Sequence, residues 1–199
     1  MASDRSLSRI CVFCGTNAGS RPAYGVAARE LGRVLAEQDI ELVYGGASVG
    51  IMGELADSVQ EHGGHVTGII PQQLMEKEAA HTGIRNLIVV ASMHQRKSQM
   101  ADMSDGFIAL PGGIGTLEGF FEILTWGQLG IHAKPAGILN VAKYFDGLTG
   151  FLDHAVREGF LTEAHREAII VEPEAGALLE RMRAYAPPKS ERLMGRTHR

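Results

Sequence analysis

The 199-residue chain is 45% hydrophobic and 21% charged, ordinary proportions for a globular protein, with a formal net charge of −4. That balance argues against nucleic acid as a partner, and no apolar run reaches the roughly 18 residues of a membrane span. The polar Met1–Arg9 segment lacks a signal-peptide core, and the two cysteines, Cys11 and Cys14, have no second ligand pair beside them for zinc, so they read as buried thiols of a cytoplasmic protein.

In chain order, apolar runs alternate with helical patterns. Ile10–Cys14 predicts a strand. Ala23–Gln38 predicts a helix, with Leu31, Val34 and Leu35 at helical spacing. Glu41–Tyr44 reads as a strand ended by Gly45-Gly46, Gly50–His62 as a helix, and Val66–Ile70 as a strand stopped by Pro71. Gln72–Arg85 is the longest irregular stretch and a candidate cover for a site. Leu87–Val90 is a strand, Ser92–Met103 a helix with Ser92 as N-cap, Gly106–Leu110 a strand and Thr116–Leu129 a helix. Ala136–Asn140 is a strand after Pro135. Phe145–Glu158, Glu163–Arg166, Ala168–Val171 and Glu174–Tyr185 complete the pattern.

Strand and helix in repeated alternation predict an α/β fold: a Rossmann-like, doubly wound parallel sheet with helices on both faces. Residues 9–186 are expected to form one nucleotide-binding domain. Residues 1–8 read as an N-terminal tail, and residues 187–199, basic beyond Pro187-Pro188, as a flexible C-terminal one. Ligands of such sheets sit beyond the strand C-termini. Three glycine-rich turns occupy that rim: Gly15–Ser20, Gly45–Gly53 and Gly112–Gly115.

The third turn carries most of the chemistry. In Leu110-Pro111-Gly112-Gly113-Ile114-Gly115-Thr116-Leu117-Glu118, a strand runs through a glycine loop into a helix start. Its backbone N–H groups can crowd inward without Cβ obstruction, and the helix start adds its own unpaired donors and partial positive charge. Together they make a phosphate seat. The dinucleotide fingerprint GxGxxG is missing after the first strand, and the Walker loop is absent, so the phosphate is that of a mononucleotide or sugar phosphate.

Arg96 and Lys97, in Met93-His94-Gln95-Arg96-Lys97, follow a strand end and can neutralise a phosphate or orient a sugar. His94 beside them fits capping or packing as well as catalysis. Glu118 lies in a first helical turn, where the dipole favours a carboxylate whether or not it faces a ribose; Glu122 is one turn on. Glu78, in the long irregular stretch, reads on its own as a solvated side chain. Trp126, Phe120 and Phe121 fit core or interface packing better than stacking on a base. The helix Phe120–Leu129 is apolar over much of its circumference, which predicts burial by core and partner together.

The combination of Val43-Tyr44-Gly45-Gly46, the MHQRK run, LPGGIGTLE and Thr125-Trp126-Gly127-Gln128-Leu129-Gly130 resembles the Lonely Guy family, cytokinin riboside 5′-monophosphate phosphoribohydrolases whose relatives often carry an older lysine decarboxylase label. The resemblance runs from Cys11 to Tyr185. It implies a Rossmann-like homodimer with no metal or organic cofactor, hydrolysing the N-glycosidic bond of cytokinin riboside 5′-monophosphates and AMP. Carried onto this chain, it gives Arg96 as catalytic with Lys97 beside it. It places Gly112, Gly113, Ile114, Gly115, Thr116 and Leu117 at the phosphate, with Gly45 and Gly46 on the rim. Glu78 and Thr125 fall at further substrate-contacting positions.

One departure matters. The family motif PGGxGTxxE ends at Gly119 here, and Glu118 fills the preceding position. Successive helical residues point about 100° apart, so Glu118 does not simply replace a carboxylate at 119. Two further expectations follow. One is a nucleotide-binding protein with weakened or lost catalysis. The other, a decarboxylase using pyridoxal phosphate, needs a lysine site that Lys97 beside Arg96 does not resemble.

Overall fold

The computed structural model describes residues 6–188 other than 76 and 78. Seven strands form one parallel sheet: β1 (Arg9–Phe13), β2 (Glu41–Tyr44), β3 (Val66–Pro71), β4 (Asn86–Val90), β5 (Gly106–Ala109), β6 (Ala136–Leu139) and β7 (Ile169–Glu172). Their spatial order is β4-β3-β2-β1-β5-β6-β7. The chain therefore builds outward from β1 to β4, returns to lay β5 against the other side of β1, and builds outward again. The point of reversal lies between β1 and β5, where Cys11 pairs with Val43 on one side and Phe107 on the other. Sheets of this class open a crevice beyond the strand ends at that reversal.

The connecting helices are α1 (Pro22–Glu37), α2 (Gly50–Glu61), α3 (Met93–Met103), α4 (Ile114–Gln128), α5 (Asp146–Arg157), α6 (Glu163–Glu167) and α7 (Ala175–Arg183). Strand side chains alternate between two cores. Ile10, Val12, Leu42 and Tyr44 pack with Leu31 and Leu35 of α1, Leu55 of α2 and Leu178 of α7. Cys11, Phe13 and Val43 face the other way, onto Met100 of α3, Phe120 and Ile123 of α4 and Leu152 of α5. This alternation points Phe13, the last residue of β1, at α4.

The predicted doubly wound sheet with helices on both faces is the observed one, with boundaries shifted by a residue or two. Cys11 and Cys14 are free and buried, as read from the sequence. Ser92 caps α3, its hydroxyl accepting from the Gln95 N–H at 3.2 Å. The helix expected from Thr116 begins at Ile114, because Gly113 acts as its N-cap and its carbonyl accepts from the Thr116 and Leu117 N–H groups at 3.1 and 3.2 Å. The irregular stretch after β3 opens with a short 3-10 turn, Gln72–Leu74, and is pinned to the loop after β2 by a bridge between Ala47 and Ala80. No helix among the described residues is long and apolar enough to cross a membrane.

Candidate active site

The loops beyond β1, β2 and β5 meet at the reversal point. The Gly15 N–H donates to the Pro111 carbonyl at 3.1 Å, and the Met52 N–H donates to the Gly15 carbonyl at 3.2 Å. A Cβ on Gly15 would stand 3.2 Å from the Gly112 Cα, so the first and third loops touch backbone to backbone. They enclose a cavity of about 530 Å³, floored by Phe13 and Cys14 and walled by Gly15–Gly19, Met52, Met93, Arg96, Lys97 and Pro111–Thr116.

The third loop has the geometry of an anion seat. Gly112 lies so close to the Thr116 hydroxyl that a Cβ there would sit 2.1 Å from Oγ1. The N–H groups of Gly113, Ile114 and Gly115 find no acceptor among the described residues, and all three residues line the cavity at the positive end of α4. The peptide is held by Tyr144, whose hydroxyl donates to the Gly112 carbonyl at 2.6 Å.

Arg96 is buried, 7% exposed. Its Nε donates to the Ile69 carbonyl at 2.9 Å and its Nη2 to the Gly45 carbonyl at 2.6 Å. Such charge-assisted bonds fix the plane of a guanidinium. Gly45 is required for this approach, since a Cβ there would lie 2.2 Å from Nη2. Lys97, also buried, reaches across to α4, with Nζ 2.5 Å from Glu118 Oε1 and 3.0 Å from Glu122 Oε2. Burial pulls its pKa down, but the Glu118 and Glu122 carboxylates outweigh that, and the net displacement is upward. The Glu118 side chain is 54% exposed and lines the cavity.

Gly119 lines the same cavity, where its missing side chain leaves room for Phe13: a Cβ would stand 2.8 Å from both Cδ1 and Cε1 of that ring. Cys14, on the cavity floor, is held protonated, since burial pushes its thiol up to about 12.

Of the residues singled out in the sequence, Arg96, Lys97, Gly45, Gly112, Gly113, Ile114, Gly115, Thr116, Glu118 and Gly119 converge on this cavity. Three do not. Leu117 packs into the core beneath α4, because its position in the first turn turns its side chain away from the rim. Gly46, at φ +79° just past the end of β2, faces Leu87 and Ile70, and its carbonyl accepts from the His81 N–H. Thr125, two turns below Glu118, bonds the Phe121 carbonyl at 2.8 Å. It lines a second cavity of about 430 Å³ with Phe121, Leu124, His132 and Tyr185. Pro187 and Pro188, assigned from the sequence to the tail, line this second cavity too. Glu78 and residues 189–199 lie outside the described residues. No described residue of 72–85 borders the first cavity.

Sequence reasoning missed Phe13, Tyr24 and Tyr144 as cavity residues. Tyr24 and Tyr144 stack edge to face, ring centroids 5.6 Å apart. No local pattern marks them, because they reach the site from α1 and from the turn after β6.

The family described as "Possible lysine decarboxylase" matches residues 52–182. A cytokinin riboside 5′-monophosphate phosphoribohydrolase of Arabidopsis thaliana is 48% identical over 187 residues, covering 94% of this chain and 88% of its own. A second from the same plant is 50% identical over 179 residues, covering 90% and 83%. Among solved structures, a molybdenum cofactor binding protein from Rippkaea orientalis superposes with a TM-score of 0.66 at 21% identity, covering 88% of this chain and 95% of its own. The molybdenum cofactor carrier protein of Chlamydomonas reinhardtii gives 0.65 at 22%, covering 89% and 98%. At that identity the two structures speak for the fold alone.

Proposed function

This chain belongs to the family of cytokinin riboside 5′-monophosphate phosphoribohydrolases, which shares the "Possible lysine decarboxylase" description, and from that membership we propose that it hydrolyses the N-glycosidic bond of cytokinin riboside 5′-monophosphates and AMP, releasing free base and ribose 5-phosphate. One observation carries the reading. A loop of backbone donors at a helix start shares a cavity with a buried arginine and a carboxylate, which suits a phosphate, a sugar and a departing base in that order.

The chemistry follows from charge. Breaking the C1′–N bond leaves positive charge on the ribose, which a nearby carboxylate stabilises. Glu118 is the carboxylate on the cavity wall, and its tether to Lys97 fixes its direction. Arg96, locked by two carbonyls, presents a fixed cation to the phosphosugar or the departing base. Water supplies the hydroxyl to C1′, and its proton ends on the leaving nitrogen, so water balances the equation. Phosphate held by Gly113, Gly115 and Thr116 provides binding energy remote from the reacting bond, which orients C1′.

A second reading, nucleotide binding with weakened turnover, is favoured by Gly119. The motif's carboxylate is missing where Phe13 fills the space, and Glu118 is engaged by Lys97. Decarboxylation is disfavoured on different grounds. The lysine on the cavity wall is held between two carboxylates with its pKa raised, the wrong state for a nucleophile that forms an imine.

The working unit in this reading is a homodimer. Support comes from α4 and the turn after it. Phe121, Leu124 and Trp126 are only partly buried, and Leu129 and Ile131 are 58% and 65% exposed, an apolar strip beside the second cavity. Light scattering at micromolar concentration is expected to give twice the monomer mass.

The decisive assay incubates the protein with AMP and with isopentenyladenosine monophosphate and separates free base by chromatography. Base release establishes the hydrolase. Calorimetric binding of AMP without base release establishes the second reading, and the absence of both base release and AMP binding removes the phosphate seat.

A further inference from the structure

We propose that Tyr144 is a positioning residue for the phosphate seat, acting through the Gly112–Gly113 peptide. The inference rests on reading that loop as a phosphate seat.

Three observations carry it. First, the Tyr144 hydroxyl donates to the Gly112 carbonyl at 2.6 Å. In a trans peptide the C=O and the following N–H point in opposite directions, so holding the Gly112 oxygen fixes where the Gly113 N–H points. With glycine on both sides, that peptide has no side chain of its own to resist rotation. Turned over, it would present a carbonyl oxygen to the phosphate instead of a donor.

Second, the backbone is bent to put Tyr144 there. Ala142 and Lys143 stand at φ +47° and +63°, consecutive non-glycine residues in the left-handed region. Such conformations persist only where the surroundings over-determine them. Here the Asn140 side chain accepts from the Phe145 N–H at 2.8 Å and donates to Asp146 at 2.8 Å, and Arg21 reaches the Ala142 carbonyl. Third, the ring is braced on both sides. Tyr24 meets it edge-on at 5.6 Å and Phe145 at 4.9 Å. Tyr24 in turn fills the space a side chain on Gly19 would need, so one aromatic pair ties the first glycine loop to the third.

The test is calorimetric titration of wild type and Tyr144→Phe with AMP and with adenosine, beside thermal melts of both proteins. The phenyl ring keeps the packing and loses only the hydroxyl. Losing one positioned donor to a charged group is expected to weaken AMP binding about tenfold. Adenosine affinity and melting midpoint are expected to stay at the wild-type values. In turnover, KM for AMP rises by the same factor while kcat is kept.

Unchanged AMP affinity in the variant overturns the proposal, as does an equal loss for AMP and adenosine, which would mark the hydroxyl as merely structural. Wild type failing to bind AMP removes the phosphate seat itself, and this inference with it. Wild type binding AMP while the variant matches it removes only the role of Tyr144.

Discussion

Restoring the motif carboxylate by Gly119→Glu separates the two functional readings. The new Cβ would stand 2.8 Å from two atoms of the Phe13 ring, which is 8% exposed and lines the cavity. Overpacking of this kind costs about 1–3 kcal/mol. Replacing glycine inside a helix returns about 1 kcal/mol. The net destabilisation is therefore at most about 2 kcal/mol, a melting midpoint lower by no more than roughly 4–8 °C in a domain of this size. Against that, one electrostatic stabiliser of a developing charge contributes about 10²–10³ in rate. At saturating AMP, kcat for base release is expected to rise by that factor in a protein that still folds. Adding Phe13→Leu should show a coupling of about 0.5–3 kcal/mol with Gly119→Glu in a double-mutant cycle, because the two side chains compete for one space. A folded Gly119→Glu protein with unchanged kcat would refute the assignment of position 119 to the ribose. Additive melting shifts would refute the clash.

Lys97→Met removes the cation shared by Glu118 and Glu122. Burial depresses the Lys97 pKa and the two carboxylates raise it further than that, so its stabilising contribution is full below about 10.4 and is lost as pH rises through the higher folded value. Melts across that alkaline window should fall more steeply for wild type than for the variant, and parallel curves would contradict the pairing. Cys14, pushed up to about 12 by burial, should react with a disulfide reagent at pH 8 about three orders of magnitude more slowly in the native protein than after unfolding, from thiolate fractions alone; equal rates would show the thiol to be open. Arg96→Lys leaves a compact ammonium where a planar fork meets two carbonyls. It should lower kcat/KM for AMP by about 10²–10³, and a change under about threefold would remove Arg96 from the chemistry.

The sheet was legible because parallel strands buried on both faces are continuous apolar runs, as at Cys11–Phe13 and Gly106–Ala109. The glycine loop proposed as the phosphate seat was legible because one contiguous segment contains it. What contiguity could not give was direction. Leu117 and Gly46 sit beside site residues in sequence and point elsewhere: neighbours on a helix turn by about 100°, and a φ of +79° at Gly46 turns the chain toward Leu87 and Ile70. Phe13 and Tyr24 flank the first glycine turn in sequence, while Tyr144 comes from the turn after β6. Only the pairing of β5 with β1 brings the first and third glycine loops, and with them these three residues, to one cavity. Thr125 shares a helix face with Glu118, but seven residues further along it is about 10.5 Å away along the axis, at the second cavity.

Helix α4 carries both halves of the proposed chemistry on one rod. Its first residues form the proposed phosphate seat, and five residues of rise from Gly113 to Glu118 span about 7.5 Å, the scale of a single ribose phosphate. Positions 118 and 119 lie at nearly the same height on that rod, about 1.5 Å apart. The choice between them is therefore one of angle, not reach. Position 119 points at the end of β1, where Phe13 closes the space, and position 118 points toward α3, where Lys97 meets it. A carboxylate at 119 and one at 118 would approach a seated ribose from directions about 100° apart. With the phosphate anchored, the sugar can offer C1′ to only one of them without leaving its seat. If Glu118 sustains catalysis here, the ribose must be rotated about its phosphate relative to the pose that a glutamate at 119 would serve. A rotated ribose carries its base to a different part of the cavity wall, so a change in base preference between AMP and isopentenyladenosine monophosphate should accompany retained activity.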